Sequence, residues 1–108
     1  MSSLSTHVLD AVTGLPAAGM AVTLCTSDGV KIASGTTDSD GRITSIGDDD
    51  LAAGTYQLTF DTGTWFGDRR IEHFYPKVSI AFAASDTSRH YHVPLLLSPY
   101  AYSTYRGS

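Results

Sequence analysis

The sequence predicts an all-β protein, a sandwich of antiparallel strands, on three observations. Turn signals built from Gly, Pro, Asp and Ser recur at short, even intervals along the 108 residues. The segments between them alternate apolar and polar residues, which is the two-residue period of strands with one buried face. Only residues 64–73 depart from this pattern. Many short strands separated by turn residues are typical of a β-sandwich.

The first half of the chain supplies four candidate strands, each ended by a turn signal. The first stops at the Thr-Gly-Leu-Pro turn of residues 13–16, and the second stops at Asp28-Gly29. The third runs into the Asp-Ser-Asp-Gly turn of residues 38–41. Glycine suits such reversals because it adopts positive φ at little cost. The four predicted strands span residues 4–12, 20–26, 30–37 and 42–46.

The second half adds four more strands and the one irregular segment. An acidic loop of residues 48–50 leads into a strand whose Tyr56, Leu58 and Phe60 share a face. Residues 64–73 suit one or two turns of helix, and Pro76 then restarts extended chain. The last four predicted strands are residues 55–61, a segment in which Val78, Ile80 and Phe82 alternate, residues 90–97 and residues 100–106.

Two strands carry histidines on the face opposite their apolar face. His90 and His92 share a face with Pro94 in residues 90–97, and His7 shares a face with Ser5 in the first strand. A face that mixes imidazoles with apolar groups suits a surface covered by another subunit. The predicted core faces of the two strands hold Leu4, Val8, Val12, Tyr91, Val93, Leu95 and Leu97.

Composition and charge exclude several classes of partner. The chain has 7 basic and 11 acidic residues, a formal net charge of −4 and no basic cluster, which argues against nucleic acid binding. No apolar run approaches the roughly 20 residues of a membrane helix. We also expect no signal peptide, because the opening residues lack a basic start and an apolar block.

Length and cysteine content favour a single domain in a reducing compartment. Residues 1–108 suffice for one domain that buries ~65% of the surface of its unfolded chain. Cys25 is the single cysteine, so no internal disulfide is possible and a reducing compartment is favoured. We expect Cys25 to be a small buried strand residue.

The histidines allow more than one interpretation. His90 and His92 begin a weak metal motif, for which His7 is a possible third zinc ligand. The same imidazoles suit acid–base catalysis, and they also suit plain solvated strand positions. Arg42, directly after Gly41, matters for function only if the fold brings it to the His7 face. His73 is expected to be a surface or packing residue.

Three motifs resemble the transthyretin-like 5-hydroxyisourate hydrolases. They are HVLD at residues 7–10 with Gly14 and Pro16 behind it, YHVPLLLSPY at residues 91–100, and YRGS at residues 105–108. The resemblance covers essentially the whole chain, and the YRGS motif separates these hydrolases from transthyretin, the hormone carrier. The chain departs from the family at Ala101, where Gly or Ser is more frequent.

The resemblance implies a transthyretin-like β-sandwich of two four-stranded sheets with one short helix around residues 65–70. It implies a homotetramer with a central channel, lined by a sheet that contains the first strand, the strand after Gly41, the strand of residues 90–97 and the last strand. No cofactor and no metal are implied. The implied catalytic residues are His7, Arg42, His92 and Ser108, and Tyr105, Arg106 and Gly107 join these four in binding the substrate.

The implied reaction is the hydrolytic ring opening of 5-hydroxyisourate to 2-oxo-4-hydroxy-4-carboxy-5-ureidoimidazoline, a step of urate degradation within purine metabolism. Attack of water on an amide-like carbonyl needs a base and a group that stabilises the oxyanion, and an imidazole and a guanidinium supply these. Which imidazole is the base stays open at this point. A ligand carrier, a zinc hydrolase and a structural module are the alternatives, and the expected location is the cytoplasm.

Overall fold

Eight strands and one helix make up the part of the chain that the computed structural model describes, residues 3–47 and 51–107. The prediction of an all-β sandwich with one short helix is confirmed. The strand β4 has two residues rather than five, and the other predicted strand ends lie within two residues of the observed ends. In chain order the elements are β1 Ser3–Asp10, β2 Ala21–Thr26, β3 Lys31–Thr36, β4 Arg42–Ile43, β5 Gly54–Phe60, α1 Thr62–Asp68, β6 Val78–Ala84, β7 His90–Ser98 and β8 Ala101–Thr104.

The strands form two four-stranded sheets with the orders β4-β1-β7-β8 and β3-β2-β5-β6. The prediction that the first strand, the strand after Gly41, the histidine strand and the last strand share one sheet is confirmed. The prediction that the strands are antiparallel is wrong for one pair, because β1 and β7 run parallel along their whole contact, from Ser3 opposite His90 to Asp10 opposite Leu97. These two strands are separated by several elements, so no hairpin fixes their relative direction.

The core lies between the inner faces of the two sheets. The first sheet contributes Leu4 and Val8 from β1 and an apolar row from β7, as the alternation predicted. The second sheet contributes alternate residues of β2, β5 and β6. The fully buried members on these strands include Val22, Leu24, Leu58, Phe60, Val78, Leu95 and Leu97.

The helix α1 closes one end of the sandwich. Asp61 caps it by accepting a hydrogen bond from the Thr64 N–H at 3.3 Å, and Trp65 and Phe66 are buried beneath it. The helix begins at Thr62, two residues earlier than predicted, because Asp61 follows β5 directly and caps α1. Among the described residues, no helix is long and apolar enough to cross a membrane.

Two predicted core residues lie elsewhere. Val12 is 69% exposed, because β1 ends at Asp10, whose side chain accepts the Val12 N–H at 2.9 Å and turns the chain outward. Cys25 is only partly buried, because the alternation that points Leu24 into the core points Cys25 to the outer face of the second sheet. The backbone is also irregular there, since the register of β2 against β3 shifts between Leu24 and Cys25.

Candidate active site

The outer face of the β4-β1-β7-β8 sheet brings His7, Arg42 and His92 together. His7 on β1 lies opposite Arg42 on β4, and Ser5, two residues before His7, lies opposite His92 on β7. Side chains of paired residues project from the same side of a sheet, and so do those two residues apart on one strand. Three strands that are distant in sequence therefore supply the three side chains predicted to react.

The turn that precedes β4 sets the position of Arg42. The Asp38 carboxylate accepts the backbone N–H groups of Asp40 at 2.9 Å and Arg42 at 3.0 Å. Gly41 has φ of 73°, and a Cβ there would overlap the carbonyl oxygen of Val8. The turn thus packs directly against β1, and glycine is required at its tightest point.

The same turn orients His7. The Asp40 carbonyl oxygen lies 2.9 Å from His7 Nε2, and because a carbonyl only accepts, this nitrogen carries a hydrogen and donates it. A neutral His7 therefore keeps its lone pair on Nδ1. Asp40 fixes both the tautomer and the orientation of the ring.

His92 is held from two sides. The hydroxyl oxygen of Ser5 lies 2.7 Å from His92 Nδ1, and Ser5 is only 8% exposed. Past the end of β8, the Gly107 N–H donates to the His92 carbonyl oxygen at 2.8 Å. A Cβ at residue 107 would overlap the His92 ring, so this close approach requires glycine. In the described part of the chain, His92 Nε2 has no hydrogen-bond partner and remains available for chemistry.

The surroundings of His92 favour its neutral form. Burial lowers the pKa of His92 below its ordinary value of 6.5, and electrostatic repulsion from Arg42, His7 and His90 lowers it further. A hydrogen bond with Ser5 acts in the opposite direction and does not overcome these causes. His92 is therefore neutral at pH 7 and able to accept a proton.

Four of the predicted site residues, Arg42, His92, Tyr105 and Arg106, line two cavities that share His92, whereas His7 and Gly107 line neither. A cleft of about 260 Å³ on the outer face is lined by Arg42, His92, His90, Ser5, Thr6, Ile43 and Thr44. This volume lies just below the ~300–1,000 Å³ of pockets for drug-sized ligands, which suits a small heterocycle. Tyr105 and Arg106 instead border a cavity of about 350 Å³ between the sheets, beside Ile80, Phe82 and again His92. Ser108 lies outside the described residues.

The described residues do not form the zinc site that the histidine pattern allowed. Among residues 3–47 and 51–107, no three His, Cys, Asp or Glu side chains are gathered closely enough to hold a metal ion. His90 and His92 bind serine hydroxyls instead, and His7 binds a backbone carbonyl. His73 packs against the Phe66 ring with centroids 5.4 Å apart, in agreement with the predicted packing role.

Sequence reasoning missed Ser3 and Ser5. Both project from the same face as His7, and both contact His90, at 2.5 Å and 2.8 Å. The two-residue spacing of Ser3, Ser5 and His7 matches that of His90 and His92. Pairing the two patterns needs the parallel register of β1 and β7, which alternation alone does not reveal.

The chain is similar in sequence and fold to known proteins. The model of the HIUase/Transthyretin family matches residues 4–107. A 5-hydroxyisourate hydrolase of Caulobacter vibrioides is 45% identical over 115 residues, covering 100% of both chains. The structure of Klebsiella pneumoniae 5-hydroxyisourate hydrolase superposes with a TM-score of 0.91 at 42% identity, over 100% of this chain and 94% of that one.

The fold is shared with transthyretin. Sea bream transthyretin, solved in complex with thyroxine, superposes with a TM-score of 0.86 at 35% identity, over 96% of this chain and 93% of that one. The sandwich fold, the order of the strands and the match to the family model all indicate the same family. The chain belongs to the HIUase/Transthyretin family.

Proposed function

We propose that the protein is a hydrolase that opens the ring of 5-hydroxyisourate to give 2-oxo-4-hydroxy-4-carboxy-5-ureidoimidazoline, a step of urate degradation. The observation that carries this proposal is the convergence of His7, Arg42 and His92 on one sheet face. The Caulobacter and Klebsiella relatives bear the name of this activity, and each aligns with the whole of this chain.

His92 is the general base in this proposal. It is neutral at pH 7, its Nδ1 is engaged by Ser5, its Nε2 has no partner among the described residues, and the residue lines the cleft. Nε2 takes a proton from water as the water oxygen bonds to the substrate carbonyl carbon. The carbon–nitrogen bond of the ring then breaks, and the leaving nitrogen receives a proton from the same imidazole. Such acid–base catalysis contributes ~10²–10⁴ in rate.

Arg42 stabilises the oxyanion that forms on the carbonyl oxygen. Its guanidinium presents a fixed set of donors and lies opposite His7 on the same face. Loss of one such stabilising group costs on the order of 10²–10³ in rate. His7, with its lone pair on Nδ1, orients the substrate or the attacking water. Tyr105, Arg106 and Gly107 enclose the far side of His92, and Ser108 stays a candidate on the strength of the family resemblance.

We also propose that the protein assembles as a homotetramer. The edge strand β6 contains neither a charged residue nor proline, and neither does β8. Monomeric proteins usually protect such edges with charges, proline or bulges. Both edges border the 350 Å³ cavity, where Ile80 and Phe82 are only partly covered. We expect a second copy to pair along this side, and two such dimers to enclose the central channel between their outer sheet faces.

The experiment that tests the activity is identification of the product. Freshly prepared 5-hydroxyisourate is incubated with a trace of protein, and the products are followed by ¹³C NMR. The proposal expects the ureidoimidazoline to form faster than in the protein-free control. An unchanged time course would reject it. We further propose that residues 1–108 form one domain, located in the cytoplasm.

A further inference from the structure

A continuous chain of hydrogen bonds leads away from the candidate base. Ser3 Oγ lies 2.5 Å from His90 Nδ1, and His90 Nε2 lies 2.8 Å from Ser5 Oγ. Ser5 Oγ in turn lies 2.7 Å from His92 Nδ1. The parallel register, with Ser3 opposite His90 and Ser5 opposite His92, builds this chain. His90 is exposed and Ser5 is buried, so the chain joins the site to the surface.

The single hydrogen of the Ser5 hydroxyl makes the two histidines interdependent. A serine oxygen donates one hydrogen bond, so Ser5 donates to one imidazole and accepts from the other. If both rings donated to Ser5, its own hydrogen would have no acceptor among the described residues. If both rings accepted, one contact would be lost. Two neutral arrangements therefore satisfy the whole chain.

In the first arrangement, His90 and His92 both carry their hydrogen on Nδ1. His92 Nε2 then has a lone pair and is ready to act as a base. In the second arrangement, both rings carry their hydrogen on Nε2, and His92 is ready to act as an acid. Passing one hydrogen along each link converts one arrangement into the other.

We propose that Ser3, His90 and Ser5 form a proton relay that switches His92 between base and acid; this inference rests on the proposed function. As His92 Nε2 takes a proton from water, its Nδ1 hydrogen passes to Ser5 and the Ser5 hydrogen passes to His90 Nε2. The Nδ1 hydrogen of His90 passes to Ser3, which releases its own hydrogen to solvent. The reverse flow returns one proton to Nδ1 as Nε2 protonates the leaving nitrogen.

The charges around His92 favour this transfer. Arg42 of β4, His7 of β1 and His90 of β7 are the charged or titratable groups that lower the pKa of His92, after its burial. An imidazolium at His92 is therefore unfavourable, and export of its proton to an exposed group relieves the cost. Ser5 and His90 act through His92, so both are positioning residues.

The tautomers of the two rings test the relay without any substrate. In ¹⁵N-histidine-labelled protein, the nitrogen shifts of His90 and His92 are measured at alkaline pH. The relay predicts matching tautomers in the wild type, both Nδ1–H or both Nε2–H. It predicts that in Ser5→Ala each ring has its own tautomer ratio, whereas Ser5→Thr, which retains the hydroxyl, keeps the two ratios equal. Opposite tautomers in the wild type would overturn the proposal.

Kinetics provide the second measurement, with His90→Gln as the variant. Glutamine retains a hydrogen bond to Ser5 but does not shuttle a proton between two nitrogens. We expect kcat to fall about tenfold with KM unchanged, less than the ~10²–10⁴ expected for loss of the acid–base group itself. Added imidazole should restore the rate of His90→Ala, because position 90 is exposed. The matched control is His73→Gln, which should retain full activity.

The outcomes separate this inference from the proposed function. If the wild type fails to hydrolyse 5-hydroxyisourate, the proposed function is refuted. The tautomers of His90 and His92 can still be measured in that case, because this measurement needs no substrate. An active wild type with unmatched tautomers refutes the relay alone. An active His90→Gln variant whose kcat equals that of the wild type in imidazole-free buffer also refutes the relay alone.

Discussion

Ser5 and His92 lie opposite each other on the parallel strands β1 and β7, with Ser5 Oγ 2.7 Å from His92 Nδ1. This pair fixes the orientation of the imidazole and leaves Nε2 without a partner among the described residues. A shift of one residue between the two strands would move every site side chain to the other face of the sheet. The pairing of β1 with β7 is therefore a condition of the chemistry as well as of the fold.

Activity should fall on the acid side with an apparent pKa below 6.5. The folded protein lowers the pKa of His92, so the base is fully neutral above 6.5 and is lost as the pH falls through the lowered value. The unfolded chain binds this proton more readily, so acidification over the same interval also reduces the free energy of unfolding. A rate profile of kcat/KM from pH 4 to 9 checks the first statement. An apparent pKa above 6.5 on the acid side of this profile would contradict it.

Arg42→Gln should lower activity and shift that acid limb upward. The substitution removes oxyanion stabilisation, with an expected loss on the order of 10²–10³. It also removes a positive charge that lowers the pKa of His92, so the pKa should rise toward 6.5. Arg42→Lys is the control that retains the charge, and its limb should stay near that of the wild type. If the pH–rate profiles of the wild type and Arg42→Gln had the same apparent pKa on the acid side, Arg42 would not affect the pKa of His92.

Gly107→Ala should reduce activity while leaving stability nearly unchanged. The added Cβ overlaps the His92 ring, and either the ring or the chain end must shift. A displacement of about 1 Å at a reacting group costs on the order of 10²-fold in rate. Gly67→Ala is the control, because a Cβ there meets nothing within 4 Å. Unfolding curves and steady-state rates of the two variants make the comparison, and equal activity would remove the proposed role of Gly107.

Gly41→Ala should destabilise the fold as well as the site. Its φ of 73° costs a non-glycine residue roughly 1–2 kcal/mol, and contact with the Val8 carbonyl adds to this. Gly14→Ala separates the two effects, because Gly14 has a similar φ of 75° and open space around it. Chemical denaturation should therefore show a larger loss for Gly41→Ala. Equal losses would mean that the contact with β1 contributes nothing.

Ile80→Lys should break the assembly. Ile80 borders the cavity at the β6 edge, and a lysine there would place a charge in the apolar contact between two copies. Ile32→Lys is the matched control, since Ile32 is 45% exposed on β3 at the opposite edge of the same sheet. Sedimentation velocity should give a tetramer for the wild type and Ile32→Lys and a smaller species for Ile80→Lys. A monomeric wild type would contradict the proposed assembly.

Alternation and turn residues were sufficient to predict the strands and the core rows of β1 and β7, because burial of one face imposes a two-residue period. They wrongly placed Val12 in the core, because β1 ends at Asp10, whose side chain accepts a hydrogen bond from the Val12 N–H. They also did not predict the Ser5–His90 contact. This contact depends on the parallel pairing of β1 with β7, and its two residues are 85 positions apart in sequence. The roles assigned to His7, Arg42 and His92 came from the family resemblance, and they stay predictions.

The loss of 5-hydroxyisourate absorbance after its generation by urate oxidase tests the central claim most directly. The account predicts that wild-type protein accelerates this loss far beyond the spontaneous rate. It predicts that His92→Ala, His7→Ala and Arg42→Ala each form the same tetramer and accelerate it little or not at all. Full turnover by His92→Ala, or an unchanged decay in the presence of wild-type protein, would contradict it.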